Sequence, residues 1–318
     1  MDPLSDVISA VRLNGAYFYQ VEAAHPWSVS TVAARELVPR VLPDAEHLMP
    51  YHILLSGSCW AGVTGEKQVH MKAGDVVVFP HGDAHVMSSA EWRGTPQEGG
   101  ATSTAQRYAD TVLLGPAGSR DTTFVCGFLG CDVRPFNPLL ASLPRRMYVP
   151  GIARGWLSQL PTQVVAESRT VGGRVGRETV LTRMAELMFI EGVRHHLEQP
   201  ASAPAGWLAG LVDSVVGPAL SQLHERPGHS WTLAELARTT AASRTVLSER
   251  FSRVIGVPPM LYLKRWRLQL AAERLARSSA KVATVATQAG YESEAAFSRA
   301  FKQETGLSPA SWRRARQQ

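Results

Sequence analysis

At 318 residues, with 45% hydrophobic and 19% charged side chains, the chain is long enough for two packed cores and too apolar for a disordered one. No apolar run is long enough to cross a bilayer and no basic segment leads into an apolar core near residue 1, so a cytoplasmic protein with no membrane partner is expected. The net charge of +6 is unevenly held: from residue 206 onward 16 Lys and Arg stand against 8 Asp and Glu, while the rest carries 17 against 19, so a polyanionic partner is expected for the C-terminal part. Three cysteines, an odd number, do not make a secreted disulfide framework.

In chain order, Leu4, Val7, Ile8 and Val11 have helical spacing, and Gly15 to Tyr19 has strand character. From His25 to about Pro150 short apolar runs broken by Gly and Pro predict an all-β barrel or sandwich. Strands are expected at 51–55, 76–79 and 124–128, and a hairpin pairs 59–63 with 67–71 across Thr64-Gly65-Glu66. Residues 74–85 run Gly, five residues, Pro80, one residue, Gly82, two residues, His85, so that a turn opens a strand and a shaped exit aims His85 into a barrel mouth. This stretch resembles the second sequence motif of the cupin barrel. Residues of about 10 to 150 therefore resemble the cupin-type sensor found fused to AraC-type DNA-binding domains.

The stretch between Glu91 and Arg107 is almost without apolar residues and is expected to be a long loop. Two helices are expected at 156–168 and 177–197, separated by Gly172-Gly173. The second is apolar around much of its circumference, so a barrel contact and a dimer contact both remain open for it. Gln199 to Gly206, with Pro200 and Pro204, has the composition of a linker.

The C-terminal part holds one pattern twice. Trp231 to Ala237 and Val282 to Ala289 predict short first helices; Ser243 and Ser293 then cap second helices that carry Leu247 and Phe251, or Phe297 and Phe301, one turn apart. Each copy closes alike, with Gly256-Val257-Pro258-Pro259 and Gly306-Leu307-Ser308-Pro309. Between them a long helix is expected from Pro259, with a core stripe of Leu261, Leu263, Leu268, Leu270, Ala271 and Leu275. These are paired helix-turn-helix units, and residues of about 208 to 318 resemble the DNA-binding domain of the AraC/XylS family of bacterial transcription regulators.

The resemblances imply a two-domain α+β fold. Residues 1–150 would be a cupin-like β-barrel sensor, 151–198 a helical dimerisation segment, 199–207 a linker and 208–318 an all-α double helix-turn-helix domain. They imply an effector-responsive regulator, an activator more often than a repressor, that works as a homodimer on double-stranded promoter DNA with RNA polymerase as a further partner. By the family's motif, Arg244, Thr245, Ser248 and Glu249 of the first unit and Glu294, Ala295, Ser298 and Arg299 of the second would meet DNA, with Arg250, Arg253, Lys302, Arg313 and Arg314 on phosphates.

For the sensor three routes stay open. A small organic effector would be lined by His52, Trp60, Phe79 and His85. A metal would need the unusual set His52, His81 and His85, since the His-x-His of cupin enzymes is missing; with it would come the alternative reading, a metal-dependent cupin enzyme with an appended DNA-binding domain. No cofactor is otherwise implied, and a non-enzyme is expected. The third route is redox, through Cys126 and Cys131 paired across a turn at Gly127 and Gly130.

Overall fold

The computed structural model describes residues 2–11, 13–92, 106–108, 111–151, 163, 166–167, 175–199 and 206–317. The helix expected at 156–168 (apart from 163, 166 and 167), the Gly172-Gly173 break, linker residues 200–205 and most of the 91–107 loop lie outside them. The first half contains α1 (Pro3–Ala10), β1 (Asn14–Ala23), β2 (Ser28–Thr31), α2 (Ala34–Val41), β3 (His47–Ser56), β4 (Ser58–Val63) and β5 (Val69–Lys72). Next come β6 (Val76–Val78), β7 (His85–Ser88), β8 (Gln106–Tyr108), β9 (Thr111–Leu114), β10 (Thr122–Cys131), α3 (Pro138–Ser142), β11 (Met147–Val149) and α4 (Arg177–Glu198). Helices follow to the end: α5 (Gly206–Val212), α6 (Val216–Glu225), α7 (Leu233–Thr239), α8 (Arg244–Ile255), α9 (Pro259–Arg277), α10 (Val282–Gln288), α11 (Glu294–Thr305) and α12 (Pro309–Gln317). Gln106 and Arg107, expected in the long loop, belong to strand β8.

Two compact units result: Leu13–Cys131 with Leu143–Ser202, and Met1–Arg12 with Asp132–Ser142 and Ala203–Gln318. The expected boundaries put 1–150 in the sensor and 208–318 in the helical domain; here Met1–Arg12 and Asp132–Ser142 go with the C-terminal helices. Helix α1 and the 132–142 segment are packed with the C-terminal helices because their apolar residues need a surface: Val7, Ala10 and Leu139 are buried there. Gln269 on α9 fixes both segments at once. Its side-chain nitrogen donates to the Ala10 carbonyl at 2.7 Å and its oxygen accepts from the Phe136 amide at 3.0 Å.

The first unit is built from two sheets. A seven-stranded sheet runs in the order β11-β6-β3-β10-β1-β9-β8 and a four-stranded one in the order β2-β7-β4-β5. The expected hairpin is β4 and β5, with Cys59 opposite Met71. Strand alternation decides which side chains fill the space between the sheets. Leu54, Phe124, Cys126 and Val77 come from the large sheet and Cys59, Ala61, Met71 and Met87 from the small one. On the other face of the large sheet Met49, Tyr51, Val76, Val78 and Leu129 meet Ala185, Met188 and Phe189 of α4. Gly127 is required there because the Tyr51 ring of the paired strand occupies the space its Cβ would take.

In the helical unit α9 enters two cores. Tyr262 and Trp266 fill the first, where the Tyr262 hydroxyl accepts from Trp207 Nε1 at 2.7 Å and lies 2.8 Å from His224 Nε2. Leu268, Ala271, Ala272 and Leu275 fill the second with Phe297, Phe301 and Trp312. The stripe expected on α9 is corrected at Leu261, which is 37% exposed; the two aromatics carry the first core in its place because helical phase turns 261 outward. Ser293→Ala is expected to cost about 1 kcal/mol and Phe301→Ala about 3–5 kcal/mol of helical-unit stability, read from urea unfolding by helical circular dichroism. Equal effects of the two would contradict this division between cap and core.

Candidate functional site

The two reading units are built from the same local devices. Ser243 Oγ accepts from the Val246 amide and Ser293 Oγ from the Ala296 amide, each at 3.2 Å, so α8 and α11 start at fixed points. Both end at a left-handed glycine, Gly256 and Gly306. The turn before each serine needs one positive φ: the second unit uses Gly290, φ 76°, whereas the first places Ala241 at φ 52°. The second turn has one more residue between that position and the serine.

With Leu247 and Phe251, and Phe297 and Phe301, fully buried, helical phase leaves the opposite faces to solvent. Arg244, Thr245, Glu249 and Arg253 are exposed on α8, with Ser248 half-buried; Glu294, Ala295, Arg299 and Lys302 are exposed on α11, with Ser298 half-buried. Of the eleven residues expected to meet DNA from α8 and α11, ten thus lie on two matching faces, with no side-chain hydrogen bond or ion pair among the described residues. Arg250 is the exception. It is exposed, but its guanidinium is bound to the Asp213 carboxylate at 2.8 and 2.9 Å, which ties α8 to the start of α6. Arg313 is also corrected: its guanidinium donates to the carbonyls of Leu275 and Ala280 and closes the end of α9, so it is not available to a phosphate. Neither pairing is visible in a helical pattern. Asp213 lies 37 residues from its partner.

Inside the β unit the sensor candidates form a relay. His52 Nδ1 lies 2.9 Å from Cys126 Sγ, His52 Nε2 lies 2.7 Å from His85 Nε2, and His85 Nδ1 lies 2.9 Å from the Asp83 carbonyl. One assignment of hydrogens satisfies every contact. The Cys126 thiol donates to His52 Nδ1, His52 Nε2–H donates to His85 Nε2, and His85 Nδ1–H donates to Asp83. Both rings are neutral in that arrangement, in keeping with burial, which drives His52 well below the usual histidine range and His85 down to about 4. Phe79 stacks on His85 with ring centroids 3.9 Å apart. Asp83 is held outside by Arg145 at 2.9 Å.

Three expectations for the sensor change. Trp60 does not line the interior: its neighbours Cys59 and Ala61 point inward, so strand alternation turns Trp60 to the outer face, against His70 at 4.8 Å between rings. His81 does not join the other histidines, because its Nε2 is 2.8 Å from the Leu143 carbonyl. The expected metal set His52, His81 and His85 is therefore not assembled, and among the described residues no three His, Cys, Asp or Glu side chains form a ligand group. Cys126 and Cys131 are not separated by a turn. Both lie on β10, five residues apart and so on opposite faces about 17 Å from one another, which excludes a disulfide in this fold. Burial pushes the Cys126 thiol up to about 12, against the opposing pull of a hydrogen bond from Tyr19, and Cys59 up to about 12 as well. The closeness of Cys126 to His52 was beyond sequence reasoning, since only the β3–β10 register places residue 126 beside residue 52.

Comparison with known proteins matches two families, a cupin over residues 2–198 and a helix-turn-helix domain over 236–315. An AraC-like transcription regulator of Streptomyces antibioticus is 32% identical over 317 residues, with 99% of each chain covered. This chain belongs to the AraC family of transcription regulators. The transcriptional regulator AlkR of Acinetobacter baylyi is 27% identical, over 98% of this chain and 99% of its own. The structure of ToxT from Vibrio cholerae aligns over 94% of this chain and 96% of its own at 9% identity and a TM-score of 0.36. The regulator is therefore a DNA-binding protein with an N-terminal cupin domain and a C-terminal helix-turn-helix domain. No helix among its described residues is long and apolar enough to cross a membrane.

In the unfolded chain His85 takes up its proton near the ordinary value of 6.5, and in the fold only near 4. Between those values the unfolded state binds more protons, so stability falls as pH falls. Melting of the wild type is expected to drop between about pH 7.5 and about pH 5, and the drop should shrink in His85→Gln; an unchanged drop would contradict the relay. Thiol titration of the native protein should be slow and become rapid in denaturant, whereas fast reaction of a native thiol would contradict the burial.

Proposed function

We propose that this regulator is a cytoplasmic, effector-responsive activator that binds promoter DNA as a homodimer, brings RNA polymerase into play, and catalyses no reaction. The observation that carries the reading is the pair of identically capped helices whose exposed faces present Arg244, Thr245, Ser248 and Glu249, and Glu294, Ala295, Ser298 and Arg299. An Arg can take guanine by two hydrogen bonds, a Glu can accept from a cytosine amino group, and Ala295 or the Thr245 methyl can meet a thymine methyl. Arg253 and Lys302, exposed one to two turns further on, suit phosphates.

Support for a dimer comes from α4. One face, with Leu181, Ala185, Met188 and Phe189, is buried against the sheet, while Val180 and Leu187, seven residues apart on another face, are 45% and 39% exposed. For the effector, His52, Phe79 and His85 gather in the β-unit interior with Phe79 stacked on His85 at 3.9 Å between centroids, so a small organic molecule lined by them would enter by displacing this packing. Its binding would change DNA affinity or activation by linkage. The alternative of a metal-dependent cupin enzyme is the less favoured, since His81 is turned to the Leu143 carbonyl and away from His52 and His85.

On an operator selected from random duplexes, Arg244→Ala and Arg299→Ala are each expected to cost about 1–3 kcal/mol and to relax preference at one base position. Arg253→Gln should weaken binding to all sequences alike and lower the salt slope by about one charge. If neither class of variant alters binding, the faces assigned to DNA are wrong. Leu187→Glu should convert the dimer to monomer by sedimentation, and an unchanged mass would place the dimer contact elsewhere.

A further inference from the structure

Within the helical unit, a groove of about 440 Å³ opens between the C-terminal half of α9, the C-terminal half of α10 and Pro227. Its size lies in the range of small-molecule sites, roughly 300–1,000 Å³. Leu270, Ala271, Val285 and Ala289 form an apolar floor. Three guanidiniums stand at the rim, and they differ in what holds them. Arg267 is fixed by the carbonyls of Pro227 and His229 at 2.6 and 2.7 Å. Arg277 is paired with Glu273 at 2.8 Å. Arg274, exposed and between the other two, has no side-chain hydrogen bond or ion pair among the described residues.

Glu273 is the single carboxylate of the lining and it is already matched, so the groove keeps a net positive rim over a hydrophobic floor. We propose that this groove binds an organic monoanion with an apolar body, an aliphatic or aromatic carboxylate, whose charge meets Arg274 and whose body covers Leu270, Val285 and Ala289. A carboxylate suits a guanidinium because two parallel N–H···O bonds can form, and an apolar chain suits the floor because it removes hydrocarbon from water. The bound molecule would bridge the long helix and the first helix of the second reading unit, a position separate from the β-unit interior assigned above to the effector.

The ligand titrations use the full chain without DNA, so that their outcome is independent of the DNA assignments. Decanoate and decanol are titrated calorimetrically into the wild type, Arg274→Gln, Arg274→Lys and Gln288→Trp, the last placing a large side chain at the mouth of the groove. The expected result is one decanoate site, weakened about tenfold or more in Arg274→Gln and Gln288→Trp and only partly restored in Arg274→Lys, which keeps the charge but not the paired bonds, with decanol at least about tenfold weaker than decanoate. Unaltered circular dichroism shows that the variants fold. No decanoate binding by the wild type, equal binding by Arg274→Gln, or equal binding of decanol would each overturn the proposal. If decanoate fails to bind while Arg274→Gln weakens duplex binding and lowers its salt slope, the rim belongs to a DNA phosphate, which also overturns it.

Discussion

Everything in the helical unit depends on one helix having to satisfy two cores. Tyr262 and Trp266 near the start of α9 are fully buried with Phe251 and Trp207, and Leu268 to Leu275 near its end are buried with Phe297 and Phe301. A helix of 19 residues is about 28 Å long. Because both ends are anchored in close-packed surroundings, rotating either reading unit about α9 would break a core rather than bend a loop. The serine caps and glycine stops then fix each reading helix against its own core, so the faces of α8 and α11 are held by covalent geometry and packing together. Arg267 adds a polar fastening, since it holds the chain before α7 through two carbonyls while lying over Gly290 in the other unit's turn.

In the β-unit interior the constraint is polar: a buried ring nitrogen without a partner is costly. His52 and His85 would be costly among Phe79, Phe124 and Val77 as charged rings, and as isolated neutral rings they would leave nitrogens unsatisfied. The Cys126–His52–His85–Asp83 chain answers both costs with neutral groups. It also accounts for the conflict between the cupin-like motif and the absent metal set. The motif shapes the turn and aims His85 inward, but the chemistry it meets there is another imidazole.

Legibility in the sequence followed locality. The duplicated helices, their caps and the Gly-Pro closures were readable because each depends on residues a few positions apart, and the Gly74 to His85 stretch was readable for the same reason. What could not be read depended on tertiary register. Trp60 is expected among the residues lining an effector, yet alternation with Cys59 and Ala61 turns it out. Cys126 and Cys131 were given a turn because two glycines lie between them, but both glycines sit in a strand, where Gly127 yields its space to Tyr51. The family's motif puts Arg250 on a phosphate, but the Asp213 that claims it lies in the turn between α5 and α6, 37 residues away. The packing of α1 and 132–142 with the C-terminal helices is fastened by Gln269, a polar residue in an apolar stripe whose use only appears once its two partners are in place.

The central claim is that a single chain carries two reading helices held to one frame by α9. Hydroxyl-radical and methylation footprinting of the regulator on a selected operator tests it most directly. The account predicts that each chain protects two major-groove segments about 34 Å apart on one face of the duplex, and that the protection at one of them alone is lost in Arg299→Ala. A single protected segment per chain, or two whose spacing drifts from site to site, would contradict it.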